Sequence, residues 1–324
     1  MQDDAAFAAL FAAPASGSPF DRAQWFALLE EHCRLPALIT LASDGAQSAG
    51  LALTGDGHLR ALANWYAFTV RPLISPGADG AALLSALAKD LRRRSWRVTL
   101  APLPDEDGSA SLAQQAFHAA GWRVSRAQCD VNHVLAVNGR SYGEYLAGRP
   151  GPLRTTLKRK ASKVAVQLLT QFDPDAWAAY EAIYAASWKP GEGSPAFLRA
   201  FAEQEGQAGR LRMALAHADG RPVAAQFWTV EEGTAFIHKL AHIEDARHLS
   251  PGSTLSAALF EQVIDRDRIG EVDFGTGDDA YKRDWMEDIR PRFRLDCLNP
   301  GAPRAWPHIA RAALHHLAHR ARAA

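Results

Sequence analysis

The chain repeats itself, and this constrains its fold more than any single motif. Ser75-Pro76-Gly77 recurs as Ser250-Pro251-Gly252, an offset of 175 residues. The same offset carries Asp44-Gly45 onto Asp219-Gly220, Ala49 onto Ala224, Thr54 onto Thr229, Ala82 onto Ala257 and Leu84 onto Leu259. Identities this sparse gain meaning only when the local structural signals coincide with them, and here they do. In each copy an apolar stretch (residues 38–41; 211–216) reaches the Asp-Gly pair, a strong hairpin signal. A second apolar stretch follows (49–53; 223–230), then a third after another turn (59–70; 234–243). Ser-Pro-Gly next opens a helical pattern (81–93; 254–267) that leads into a strand-like run (96–100; 271–274).

Each half therefore reads as three antiparallel strands, a helix and another strand. Residues after Trp122 and residues 290–298 add one further strand to each copy. The expected fold class is α+β: two tandem copies of one unit, with mixed, mostly antiparallel sheets flanked by helices. The expected domains are residues 1–150 and 151–324, because Gly148, Pro150, Gly151 and Pro152 break any regular element between them. A length of 324 residues agrees with two domains of ordinary size.

The charge balance narrows the function. There are 36 basic and 36 acidic side chains and a pI near 7.2, which argues against a general nucleic-acid binder. Cys33, Cys129 and Cys297 match no metal-ligand or disulfide spacing, so no metal and a cytoplasmic setting are expected. The opening Met1-Gln2-Asp3-Asp4 is acidic where a signal peptide would be basic. No run approaches the roughly 18 apolar residues needed for a membrane span.

The chemistry concentrates in the second copy. Arg247-His248-Leu249-Ser250-Pro251-Gly252-Ser253-Thr254 joins a strand to a helix whose first turn holds small residues and no carboxylate. The first amides of a helix lack internal partners and sit at the positive end of its dipole. Gly252 permits close backbone approach, and Ser253 and Thr254 add hydroxyls. This suits a phosphate or pyrophosphate; it also suits a plain capped helix start. In the first copy Asp79 sits where such an anion would lie, so the second copy is the one equipped for a phosphorylated ligand.

Downstream, Asp273-Phe274-Gly275-Thr276-Gly277-Asp278-Asp279-Ala280-Tyr281-Lys282-Arg283-Asp284-Trp285 ends a strand in a Gly-x-Gly turn and a short helical stretch. Gly275 and Gly277 permit positive φ or a close ligand approach, although this is not the longer dinucleotide fingerprint. The run from Ser250-Pro251-Gly252 to Trp285 resembles the GNAT-like acetyltransferase domain of bacterial cellulose-biosynthesis-type acyltransferases, a group related to the Fem-type aminoacyltransferases. The resemblance covers about residues 150–300.

It implies two tandem GNAT-like halves and an acyl group, acetyl first among them, carried by coenzyme A to an amine or hydroxyl. The acceptor is a small molecule or a glycan- or lipid-linked group, with envelope or exopolysaccharide metabolism as the setting. It also implies that the pyrophosphate sits at the helix starting near Gly252, with Arg247, Ser250, Ser253, Thr254, Gly275 and Gly277 around the cofactor. The usual Arg/Gln-x-x-Gly-x-Gly/Ala signature is not matched in register, because Arg247 and Gly252 lack the second glycine. Tyr281 resembles the tyrosine that GNAT enzymes hold near the sulfur, which makes it the expected acid.

For a base, the strand Phe236-Ile237-His238-Lys239-Leu240-Ala241-His242 places His238 and His242 on one face by alternation, with Lys239 on the other. His238 is the expected base, and Asp273 orients it or binds substrate. Lys239, Asp278, Lys282 and Trp285 are the expected substrate-binding residues.

Two alternatives stand beside this reading. Arg154 to Lys163 holds five basic residues in ten, which suits an anionic acceptor or the aminoacyl-tRNA of a Fem-type enzyme; it equally suits a solvated helix. The second alternative is a GNAT-like binding module without catalysis. Residues 304–320 read as an amphipathic C-terminal helix with His315 and His319 at i, i+4; it packs on the second domain or makes a peripheral membrane contact. The oligomeric state stays open.

Overall fold

The computed structural model describes residues 10–11, 17–45, 47–312 and 314. The chain forms two compact units: residues 1–130 with 290–324, and residues 131–289.

In the first unit β1 (Leu38–Asp44) and β2 (Gln47–Thr54) form a hairpin, with Leu38 opposite Leu53 and Asp44 opposite Gln47. Gly45 takes φ 61 in its turn, as the Asp-Gly signal requires. β3 (His58–Ala61) runs antiparallel to β2 and parallel to β5 (Arg97–Leu103), and β4 (Leu73–Ile74) pairs with β2. The third apolar stretch, expected over 59–70, is thus a strand only over its first residues.

α1 (Ala23–Cys33), α2 (Gly80–Leu91) and α3 (Ser109–Ala119) complete the unit. Asp79 caps α2 by accepting from the Ala82 amide at 3.0 Å, so this helix start is already occupied by a carboxylate. The last strand of the unit is β12 (Asp288–Leu298), antiparallel to β5. Its Leu295 and Cys297 are buried in the core of the unit beside Leu84, Leu87 and Val98.

The second unit repeats the plan. β8 (Leu211–Ala218), β9 (Arg221–Glu231) and β10 (Thr234–His242) are antiparallel neighbours, and β10 runs parallel to β11 (Glu271–Thr276). β7 (Ala165–Leu169) flanks β8, and the end of β6 (Arg123–Ala136) flanks β11. The helices are α4 (Tyr142–Ala147), α5 (Gly151–Lys160), α6 (Pro174–Ala185), α7 (Pro195–Gln207) and α8 (Pro251–Glu261). Leu255, Leu259, Phe260 and Val263 recur at helical spacing and are fully buried, so α8 covers one sheet face. Trp177, Tyr180, Phe197 and Phe201 of α6 and α7 are likewise buried, and Trp177 and Tyr180 pack on Phe227 of β9.

The units do not divide at the breakers near residue 150. Gly148, Arg149 and Pro150 separate α4 from α5, both inside the second unit. Each sheet takes its final strand from the other half of the sequence: β12 completes the sheet of the first copy, and residues 132–136 of β6 line β11 of the second. Such non-local pairing leaves no local signal.

Alternation also fails at one point in β10. Ile237 faces Trp228 and Lys239 faces Phe227, so His238 is the extra residue of a bulge. Residues 306–312 are helical; His315 and His319 lie outside the described residues. No described helix is long and apolar enough to cross a membrane.

Candidate active site

A cleft of about 450 Å³ opens at the start of α8. Ser250, Gly252 and Ser253 form one wall, and Arg247, Tyr281 and Trp285 line it further along. Ser250 is in the left-handed region at φ 54, ψ 46, and its side chain makes no capping bond. Backbone strain of this kind collects at functional positions. Pro251 has no amide hydrogen, and no acidic residue stands in the first turn, so the amides of Gly252 and Ser253 give the cleft a positive end.

α5 packs against α8 through buried Leu153 and Leu157. Lys160, at its end, donates to Ser250 Oγ at 3.2 Å. A cation is thereby held beside the helix start. Thr254 is buried, and its hydroxyl returns to the Ser250 carbonyl, so it supports the turn from behind.

Tyr281 is 43% exposed and meets Phe274 edge-on, 5.5 Å between centroids. Partial burial, with Asp279 nearby, pushes its hydroxyl up to about 12, so it stays protonated through the neutral range. Trp285 is buried and stacks on Phe260 at 5.0 Å and 4°, forming part of the cleft floor.

Other expected site residues sit elsewhere. Asp273 is buried and accepts from Asn132 Nδ2 at 2.9 and 3.1 Å and from the Gly275 amide at 2.7 Å. It ties the Gly-x-Gly turn to β6. Gly275 and Gly277 have φ 68 and 96, which only glycine takes without strain. Lys282 is buried and donates to the carbonyls of Gly275 and Thr276, bracing the same turn. Asp278 is exposed and holds His133 and Arg283; the Arg283 bond, then the His133 bond, keep its carboxyl below the usual range.

The bulge in β10 decides where its side chains point. His238 stacks on Phe227 at 5.4 Å, meets Phe201 edge-on at 5.1 Å, and shares a 2.8 Å hydrogen bond with Thr229 Oγ1. Lys239 pairs with Glu192 at 2.9 Å over the ring of Tyr184. Both therefore face α6 and α7, whereas His242 reaches the cleft beside Leu240. There it packs at a tilt against Trp188, 4.3 Å between ring centroids, and donates from Nδ1 to the Ile243 carbonyl at 3.0 Å. Sequence reasoning missed Trp188, Lys189 and Asp279, which also line the cleft. For Trp188 and Lys189 the signal was a Trp-Lys-Pro-Gly-Glu-Gly loop between two helices, where function-bearing side chains collect; Asp279 follows the Gly-x-Gly turn.

Among the described residues no group of His, Cys, Asp or Glu is placed to hold a metal ion.

Comparison with known proteins bears on the fold. Residues 151–283 match the acetyltransferase (GNAT) domain family model. No curated protein matches the chain in sequence. Among solved structures, FemX superposes with a TM-score of 0.64 at 10% identity, covering 92% of this chain and 96% of that one. L-PGS from Bacillus licheniformis gives 0.54 at 13%, covering 95% and 98%. A tandem GNAT protein from the clavulanic acid biosynthesis pathway gives 0.50 at 15%, covering 90% and 92%. The fold is α+β, two tandem GNAT-like domains, and the region that matches the GNAT family model carries most of the cleft.

Proposed function

We propose that the chain moves an acyl group, acetyl in the simplest case, from a coenzyme A thioester to an amine or hydroxyl acceptor. The observation that carries this reading is the uncapped, acid-free start of α8, flanked by Lys160 and Arg247 and faced by Tyr281. When bound, the thioester supplies an activated carbonyl. Gly252 and Ser253 offer backbone amides to the pyrophosphate, and Lys160 and Arg247 add positive charge. Tyr281 holds its proton at neutral pH and gives it to the departing thiolate. Trp285 and Phe260 close the floor against water.

The resemblance to cellulose-biosynthesis-type acyltransferases supports an acceptor from cell-envelope metabolism, and the three scattered cysteines support a cytoplasmic site of action. Calorimetry with acetyl-CoA and longer acyl-CoAs tests the core of the reading. Binding is expected with acetyl-CoA, and no heat with any of them sinks it.

A second reading has its own support. Arg154, Lys158 and Arg159 expose a basic face on α5 next to the cleft, and FemX shares the fold. An aminoacyl-tRNA donor would exploit that face. A salt-sensitive gel shift with tRNA favours this reading; the absence of any complex dismisses it.

A further inference from the structure

A second cavity of about 400 Å³ lies between α6 and α7. Trp177, Tyr180, Tyr184 and Ala185 of α6 and Pro195 and Leu198 of α7 wall it, and Glu181 and Glu192 supply carboxylates. Among the described residues, Lys189 lines both this cavity and the cleft at the α8 start. It is half-buried, with its ammonium 5.7 Å from the centre of the Trp188 ring.

We propose that Lys189 is the proton acceptor of the transfer, and that the second cavity takes the acceptor, a primary amine carried on an aromatic or aliphatic body. This rests on the acyl-thioester reading above. Aromatic faces suit an arriving ammonium and an apolar body; Glu192 is held by Lys239 and Glu181 accepts from Trp177 Nε1, so the two carboxylates contribute their charge to the cavity from within those contacts. An aminosugar has less apolar surface than an aralkylamine to bury against these rings, which lowers its affinity.

Lys189 meets the demand of a base by its surroundings. Burial is the main influence, and the Lys239 ammonium adds to it; Glu192 and Asp279 oppose, and Lys282 adds a further small push. The outcome is a value lowered to about 8. The other titratable groups facing it across the two cavities are Tyr184, Tyr281, Glu181, His242, Arg247 and Asp284. At pH 7 about one lysine in ten is then free base, against about one in several thousand for an ordinary lysine.

The step balances. The acceptor arrives as an ammonium and loses one proton to solvent water; the neutral amine then attacks the thioester carbonyl carbon, the C–N bond forms and the C–S bond breaks. The proton shed by nitrogen goes to Lys189 Nζ, and the leaving thiolate takes one from Tyr281. Nothing is oxidised or reduced.

The test is thiol release from acetyl-CoA with phenethylamine or glucosamine as acceptor, between pH 6.5 and 9. Phenethylamine is expected to support release at least about tenfold faster than glucosamine. Lys189→Arg, which keeps the charge but does not deprotonate, is expected to lower the rate at least about tenfold and to flatten its rise with pH. Ala185→Trp fills the cavity from an exposed position and is expected to remove the aromatic preference, with folding checked by its melting curve. Equal rates with glucosamine, or no release with any amine despite acetyl-CoA binding, overturn the acceptor class. A wild-type rate and pH profile in Lys189→Arg overturns the base. Absence of acetyl-CoA binding in the unmutated protein strikes the acyl-thioester reading itself and is seen separately by calorimetry.

Discussion

Replacing Ser253 by glutamate separates ligand binding from helix stability, because the two respond with opposite sign. Ser253 lies in the first turn of α8, half-buried, on the wall of the cleft. A carboxylate there complements the helix dipole and stabilises the fold by about 0.3–1 kcal/mol. In a domain of this size that raises Tm by about 1–3 °C. The same carboxylate meets an incoming pyrophosphate. With two phosphate charges at about 5 Å, repulsion is about 2 kcal/mol at the dielectric of water and about 7 kcal/mol at an effective value of 20. The half-exposed site falls between these limits, so acetyl-CoA affinity drops at least about 30-fold. Ser253→Gln controls for size. Calorimetry reads affinity and differential scanning calorimetry reads Tm. Equal affinity in the glutamate and glutamine variants would refute the assignment of an anion to this helix start, whatever the stability change.

Tyr281→Phe is expected to lower the turnover of thiol release about 100-fold while leaving the acetyl-CoA Kd unchanged, because an acid acts only as the thiolate departs; single-turnover kinetics beside calorimetry separates the two. Asp273→Ala strands Asn132 and the Gly275 amide in a buried setting and should cost about 2–4 kcal/mol in urea unfolding, so a cost below about 0.5 kcal/mol refutes its bracing role. Glu287 is held below its usual 4.5 chiefly by the Arg140 hydrogen bond, with Arg149 assisting. A lowered folded value means the stabilisation is complete above about pH 4.5 and is lost as pH falls through the folded value. The stability difference between wild type and Glu287→Gln should therefore be constant from pH 7 to 5 and shrink below 4, as followed by urea melts; no pH dependence of that difference contradicts it.

The repeat was legible because its signals are local. Asp44-Gly45 and Asp219-Gly220 close hairpins through positive φ at Gly45, Asp219 and Gly220, and Pro251 starts α8 at a position where a missing amide hydrogen costs nothing. The α8 end of the cleft followed from the same logic, since a helix start without a carboxylate can be read directly. What escaped depended on partners distant in sequence. Alternation along β10 assigned His238 to the cleft, but the bulge opposite Phe227 turned it toward α6 and α7. Asp273, Asp278 and Lys282 resembled site residues in sequence; their side chains are taken up by Asn132, by His133 and Arg283, and by the turn carbonyls. Lys189 had only its place in the Trp-Lys-Pro-Gly-Glu-Gly loop to mark it, and the meeting of two cavities singles it out.

The exchanged strands have a consequence for how the protein is made. The first unit lacks β12 until residues 290–298 exist, and Asn299 then closes it by donating to the carbonyls of Arg92 and Ser95. A chain emerging from the ribosome amino end first carries the open edge of β5 through nearly the whole of its synthesis. The second unit draws on β6 residues already made, so it has all its strands before the first unit does. Assembly therefore runs against the order of translation, and a fragment cut at the breakers near residue 150 inherits a bare sheet edge instead of a finished domain.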